Sequence, residues 1–110
     1  MNDLASKKCI PCTEGTSPLG KKDQQELLSE LSDGWRIVQG HHLENEYRFG
    51  DFREALSFTN RVGEIAEEAG HHPDIYLSWG KARVTIWTHK IDGLSEADFV
   101  LAAKIDRLER

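Results

Sequence analysis

The stretch from Asp51 to Gly70 constrains the fold more than any other part of this 110-residue chain. Asp51 and Glu54 have capping-box spacing, and Phe52, Ala55, Leu56, Thr59, Val62 and Ala66 recur with the helical period as a stripe expected to be buried. Gly70 supplies the stop. On both sides of this helix the apolar period drops from 3.6 to 2. Upstream, Trp35 to Val38 and Leu43 to Phe49 read as two strands turning at Gln39-Gly40, the second alternating Leu43, Asn45, Tyr47 and Phe49 with Glu44, Glu46 and Arg48. Downstream, Ile75 to Trp79 and Ala82 to His89 read as a second pair turning at Gly80-Lys81. Strand parity puts Val84 and Ile86 on one face and Thr85, Trp87 and His89 on the other.

Two further helices complete the order. Leu27, Leu28 and Leu31 give the segment from Lys21 to Ser32 a helical stripe, stopped by Asp33-Gly34. Near the end, Ser95 is the expected N-cap with Asp98 at N3, Leu94 and Phe99 have the spacing of a hydrophobic staple, and Leu101, Ala102, Ile105 and Leu108 form the core stripe. The order αββαββα predicts an α+β fold: a four-stranded antiparallel sheet with three helices packed on one face. The opposite face, carrying Trp87 with Trp79 or Tyr76, is left for a partner subunit or a ligand.

Composition narrows the function classes. A single domain is expected over residues 21–110 behind an irregular arm over residues 1–20, where Pro, Gly, Ser and Thr are frequent. At this length only about 60–70% of the unfolded surface is buried on folding, so oligomerisation would add useful burial. The net charge of −5 and pI near 5.5 come without a basic stripe, which argues against direct nucleic-acid binding. No apolar run is long enough to span a bilayer, and the N-terminus lacks the apolar core of a signal peptide, so a cytoplasmic protein is expected. Cys9 and Cys12 form a lone C-x-x-C; two reduced thiols in an arm are the simpler reading, with zinc held by both cysteines, His41 and His42 as the alternative.

Chemistry concentrates between Glu67 and Asp98. His71, His72 and Pro73 are followed by His89, with a carboxylate at each end. Imidazole titrates nearest neutrality, so such a group suits proton transfer or a three-histidine metal site, while a His-His-Pro turn capping a helix is the structural alternative. Glu67, one turn before His71, is expected to orient that ring. Pro73 keeps His72 extended, so the two adjacent rings have separate tasks. Asp98 is explained equally well as a helix cap or as site support.

The run E-E-A-G-H-H-P-D, Trp79, the W-T-H ending at His89 and the G-L-S-E-A-D ending at Asp98 resemble the pterin-4a-carbinolamine dehydratases. The similarity extends through Gly34-Trp35 and D-F-R-E-A-L-S-F-T-N-R-V, from about Leu27 to Leu108, and the K-K-C-I-P-C arm looks bacterial. The resemblance implies the same α+β fold, a homodimer or homotetramer, and no metal or organic cofactor. The implied reaction is dehydration of 4a-hydroxytetrahydrobiopterin to quinonoid dihydropterin, which links the protein to aromatic amino acid hydroxylases. It makes His71, His72 and His89 catalytic, Glu67 and Asp98 supporting, and Pro73 and Trp79 substrate-binding. A non-catalytic role as a transcriptional dimerisation cofactor or assembly factor is the alternative on the same fold. Gly70 stands where animal members carry an acidic residue and Ile75 where they carry tryptophan, which makes Trp79 the candidate substitute for stacking on the pterin.

Overall fold

A computed structural model describes residues 4–7 and 17–108, so Cys9 and Cys12 lie outside the described residues. Among these residues the helices are α1 (Lys21–Leu28), α2 (Phe52–Ala69) and α3 (Glu96–Asp106), and the strands are β1 (Arg36–Val38), β2 (His42–Arg48), β3 (Asp74–Ser78) and β4 (Lys81–Ile86). Short 3-10 turns occur at Leu4–Ser6 and His89–Ile91. The sheet order is β1-β2-β4-β3 and every pairing is antiparallel, as the sequence pattern predicted. The two hairpins meet at the centre, where Leu43 lies opposite Ile86 and Asn45 opposite Val84.

Alternation along the central strands builds the core. Leu43 and Tyr47 from β2 and Ala82, Val84 and Ile86 from β4 are buried with Phe58 and Val62 of α2 and Phe99 to Ala103 and Ile105 of α3. Helix α3 is buried on nearly all sides, beyond the stripe expected, because α2, α1 and the Leu4–Ser6 turn pack around it. Leu4 and Ala5 are themselves buried, and Lys104 Nζ donates to the Ala5 carbonyl at 2.8 Å.

Several boundaries differ from the sequence reading. Helix α1 stops at Leu28, four residues before Ser32, because Glu30 and Leu31 tighten into turns on the Leu27 and Leu28 carbonyls. In α2 the buried positions are Ala55, Phe58, Val62 and Ala66, while Phe52 and Leu56 are exposed. The stripe is therefore rotated toward Phe58, which meets Tyr47 and Phe49 of β2 and its exit at ring-centroid distances of 4.5 and 5.2 Å. Strand β4 ends at Ile86, so His89 is carried by the following 3-10 turn and not by the strand.

Both ends of α2 follow the sequence. Asp51 caps it by accepting from Glu54 N–H at 2.8 Å. At the other end Gly70 lies in the left-handed region at φ 67°, Gly70 N–H donates to the Glu67 carbonyl and His71 N–H to the Ala66 carbonyl. This is a Schellman ending, and it fixes where the chain leaves the helix. A Cβ at Gly70 would meet nothing within 4 Å, so Gly70→Ala is expected to cost only the backbone penalty of about 1–2 kcal/mol. Urea unfolding should show a lower midpoint with an unchanged m value, and a smaller loss for Gly70→Asn.

Candidate active site

Three chain reversals converge at one end of the sheet. They are the exit from α2 at Gly70, the exit from β4 at Trp87, and the entry into α3 at Ser95. Between the first two lies an open cavity of about 450 Å³ lined by Gly70, His71, His72, Pro73, Asp74, Trp87, Thr88, His89 and Lys90. The volume is within the range of small-molecule sites. All three histidines singled out from the sequence reach it.

Asp98 organises the inner wall. Its side chain is 0% exposed, and its two oxygens have different tasks. Oδ2 accepts from Ser95 N–H at 2.8 Å, the carboxylate half of a capping box, and from Thr88 Oγ1 at 2.8 Å. Oδ1 meets His71 Nε2 at 2.5 Å. The helix cap expected from the sequence is formed, and the same carboxylate meets a histidine of the cavity wall. With a proton on Nε2 to serve Oδ1, neutral His71 keeps its lone pair on Nδ1.

Glu67 pairs with His72 Nε2 and not with His71. The expected helical spacing fails because Gly70 reverses the backbone, sending His71 inward to α3 and leaving His72 outside. The exposures agree: 17% for the His71 side chain against 63% for His72 and 77% for Glu67. An ion pair so exposed contributes little to stability.

Trp79 does not line the cavity. It is 72% exposed at the β3–β4 turn, whereas Asp74 at the cavity begins β3; five residue steps along the strand separate them by roughly 16 Å. The aromatic wall is Trp87, whose ring is stacked on His89 at 3.8 Å between centroids and 23° between planes. Sequence reasoning placed Trp87 on an open face without assigning it to the site. Its position directly before Thr88-His89 was the available signal.

His41 and His42 form a second pair beside the first. Their Nδ1 atoms are 3.1 Å apart, and His41 Nε2 is 2.8 Å from Asp92 Oδ1. The two cysteines of the alternative zinc set lie outside the described residues, and among the described residues no group of three His, Cys, Asp or Glu side chains has metal-binding geometry.

Comparison with known proteins gives consistent results. A family model described as "Pterin 4 alpha carbinolamine dehydratase" matches residues 17–108. Proteins of Alkaliphilus metalliredigens and Rubrobacter xylanophilus, both named "Putative pterin-4-alpha-carbinolamine dehydratase", are each 56% identical to this chain. The first alignment covers 97% of this chain and 96% of the relative, the second 98% and 100%. A crystal structure of a transcriptional coactivator/pterin dehydratase from Brucella melitensis is similar at TM-score 0.74 and 31% identity, over 81% of this chain and 95% of that one. A pterin dehydratase-like protein identified as a RuBisCO assembly factor in the alpha-carboxysome shares the fold at TM-score 0.57 and 24% identity, over 66% of this chain and 86% of that one.

Proposed function

The chain belongs to the pterin 4 alpha carbinolamine dehydratase family, and on that premise we propose that it dehydrates 4a-hydroxytetrahydrobiopterin to quinonoid dihydropterin. The observation that carries the reading is the gathering of His71, His72, His89 and Trp87 around one cavity, with buried Asp98 against His71. In this reaction the 4a-hydroxyl takes a proton and leaves as water when the C4a–O bond breaks. Loss of the N5 proton lets its electron pair form the C4a–N5 double bond. One acid and one base suffice, and positioned side chains of this kind contribute roughly 10²–10⁴-fold to such steps.

His71 is the base. Its Nε2–H is committed to Asp98, so Nδ1 takes the N5 proton, and the adjacent carboxylate compensates the charge the ring acquires. His89 is the acid that protonates the hydroxyl. Its place in the cavity wall, with the ring stacked on Trp87, supports this role. His72, backed by Glu67 at the mouth, holds the polar edge of the pterin, while Pro73 and Trp87 offer apolar surface. Trp79 belongs to no part of this arrangement within one chain.

The oligomeric state is part of the proposal. Phe52 and Leu56, four apart on α2, and Tyr76 and Trp79 on the β3–β4 hairpin are exposed large apolar side chains whose burial would stabilise a homodimer or homotetramer. No helix among the described residues is long and apolar enough to cross a membrane. Recycling the pterin of an aromatic amino acid hydroxylase is the setting in which the reaction is useful.

Stopped-flow absorbance tests the reading. Purified protein is expected to accelerate loss of 4a-hydroxytetrahydropterin above the spontaneous rate without added metal. A catalytic quantity of protein that leaves the rate unchanged overturns it. The second reading, a binding protein without turnover, is favoured by the coactivator half of the Brucella description. Absent turnover together with a stoichiometric partner recovered by pull-down would establish it.

A further inference from the structure

The pair His41-His42 has no place in the reaction described above, yet it is joined to the site by an unbroken series of contacts. His41 packs on Trp87 at 4.4 Å between ring centroids, tilted by 46°, and Trp87 stacks on His89. His41 also meets Asp92 Oδ1 at 2.8 Å. Asp92 and His89 belong to the same small loop, which is closed by paired hydrogen bonds between Thr88 and Gly93. One residue of the β1–β2 turn thus touches the His89 loop twice, once through the indole and once through a carboxylate.

We infer that His41 and Asp92 are positioning residues that hold Trp87 and His89 in the orientation required for protonating the leaving hydroxyl. The inference rests on the assignment of His89 as the acid. The hydrogen bonds are mutually consistent with neutral rings: His42 Nδ1–H donates to His41 Nδ1, and His41 Nε2–H donates to Asp92. The other end of the loop is anchored independently, since Thr88 is buried and bonded to Asp98 and Ser95. Without the clamp, the backbone of the turn would still be held by Asp92 N–H on the His89 carbonyl, but the His89 ring would rest on an indole no longer backed by His41.

Stability does not account for the arrangement. The His41 and Asp92 side chains are 32% and 84% exposed, and polar contacts so exposed contribute little to folding. Nor is Asp92 placed for backbone economy, because it lies in the left-handed region at φ 48°, where Asn or Gly is accommodated more readily. A carboxylate at this position is explained by what it holds.

The backbone geometry of Asp92 supplies a clean set of variants. Asp92→Gly removes the acceptor without backbone strain, Asp92→Asn retains an acceptor oxygen, and His41→Ala removes the ring. In the full-length protein, His41→Ala and Asp92→Gly are expected to lower kcat about ten-fold, since small misplacement of a reacting group is costly, with KM changed by less than about two-fold. Asp92→Asn should stay near wild type, and no thermal midpoint should fall enough to account for the lost rate. NMR of the His89 ring protons provides the independent readout: their Trp87 ring-current shift should be lost in His41→Ala and Asp92→Gly and kept in Asp92→Asn.

Unchanged kcat and unchanged His89 resonances in both disruptive variants overturn the inference, as does an Asn variant as impaired as the Gly variant. If wild-type protein lacks dehydratase activity, the functional reading fails and the catalytic inference fails with it. The resonances then still decide whether the clamp orients the ring.

Discussion

Replacing His71 with alanine should lower kcat/KM for dehydration by about 10²-fold or more, within the range typical of a lost general acid or base. The effect should exceed that of His72→Ala, which removes an exposed ring paired with an exposed carboxylate and should act mainly on KM. A structural cost accompanies it. Asp98 Oδ1 would lose its donor in a buried site, which destabilises the fold by about 1–3 kcal/mol. Because misfolding and lost chemistry both reduce rates, the decisive measurement adds free imidazole to folded His71→Ala protein. Partial recovery of turnover supports proton transfer at this position; a rate equal to wild type without imidazole would remove His71 from the mechanism.

How much of this site was legible in the sequence depends on whether local geometry or tertiary contact decides each residue. The cap at Asp51, the stop at Gly70, both hairpins and the Ser95–Asp98 start of α3 are written in short-range patterns, and all appear in the fold. The partner of Glu67 was misread for a local reason with a nonlocal result: a left-handed residue between Glu67 and His71 ends helical spacing and exchanges which ring the carboxylate meets. Phe58 was missed because the rotation of a helix about its axis is set by the surface it covers, here Tyr47 and Phe49, and not by its own period. Trp79 and Trp87 changed places as site candidates for the same kind of reason. Sequence distance from the His-His-Pro run favours Trp79, but an antiparallel hairpin carries it away from that run and brings the end of β4 back to it.

Asp98 offers the sharpest separation of structure from chemistry. Asp98→Ala leaves Ser95 N–H, Thr88 Oγ1 and His71 Nε2 without their common acceptor at a fully buried position, so a loss of about 3–5 kcal/mol is expected in urea unfolding. Asp98→Asn should behave differently. Its carbonyl oxygen can take the place of Oδ2 and keep both the cap and Thr88, at a cost of about 1 kcal/mol. Its amide group then faces His71 Nε2 as a donor, and Nε2 must become the acceptor. The imidazole proton moves to Nδ1, the atom that must be vacant in the proposed proton transfer from N5. Dehydration should therefore fall by about 10²-fold or more through the wrong tautomer in a protein that remains folded. Normal turnover in Asp98→Asn would instead make this carboxylate a helix cap alone, and His71 would need another explanation for its orientation.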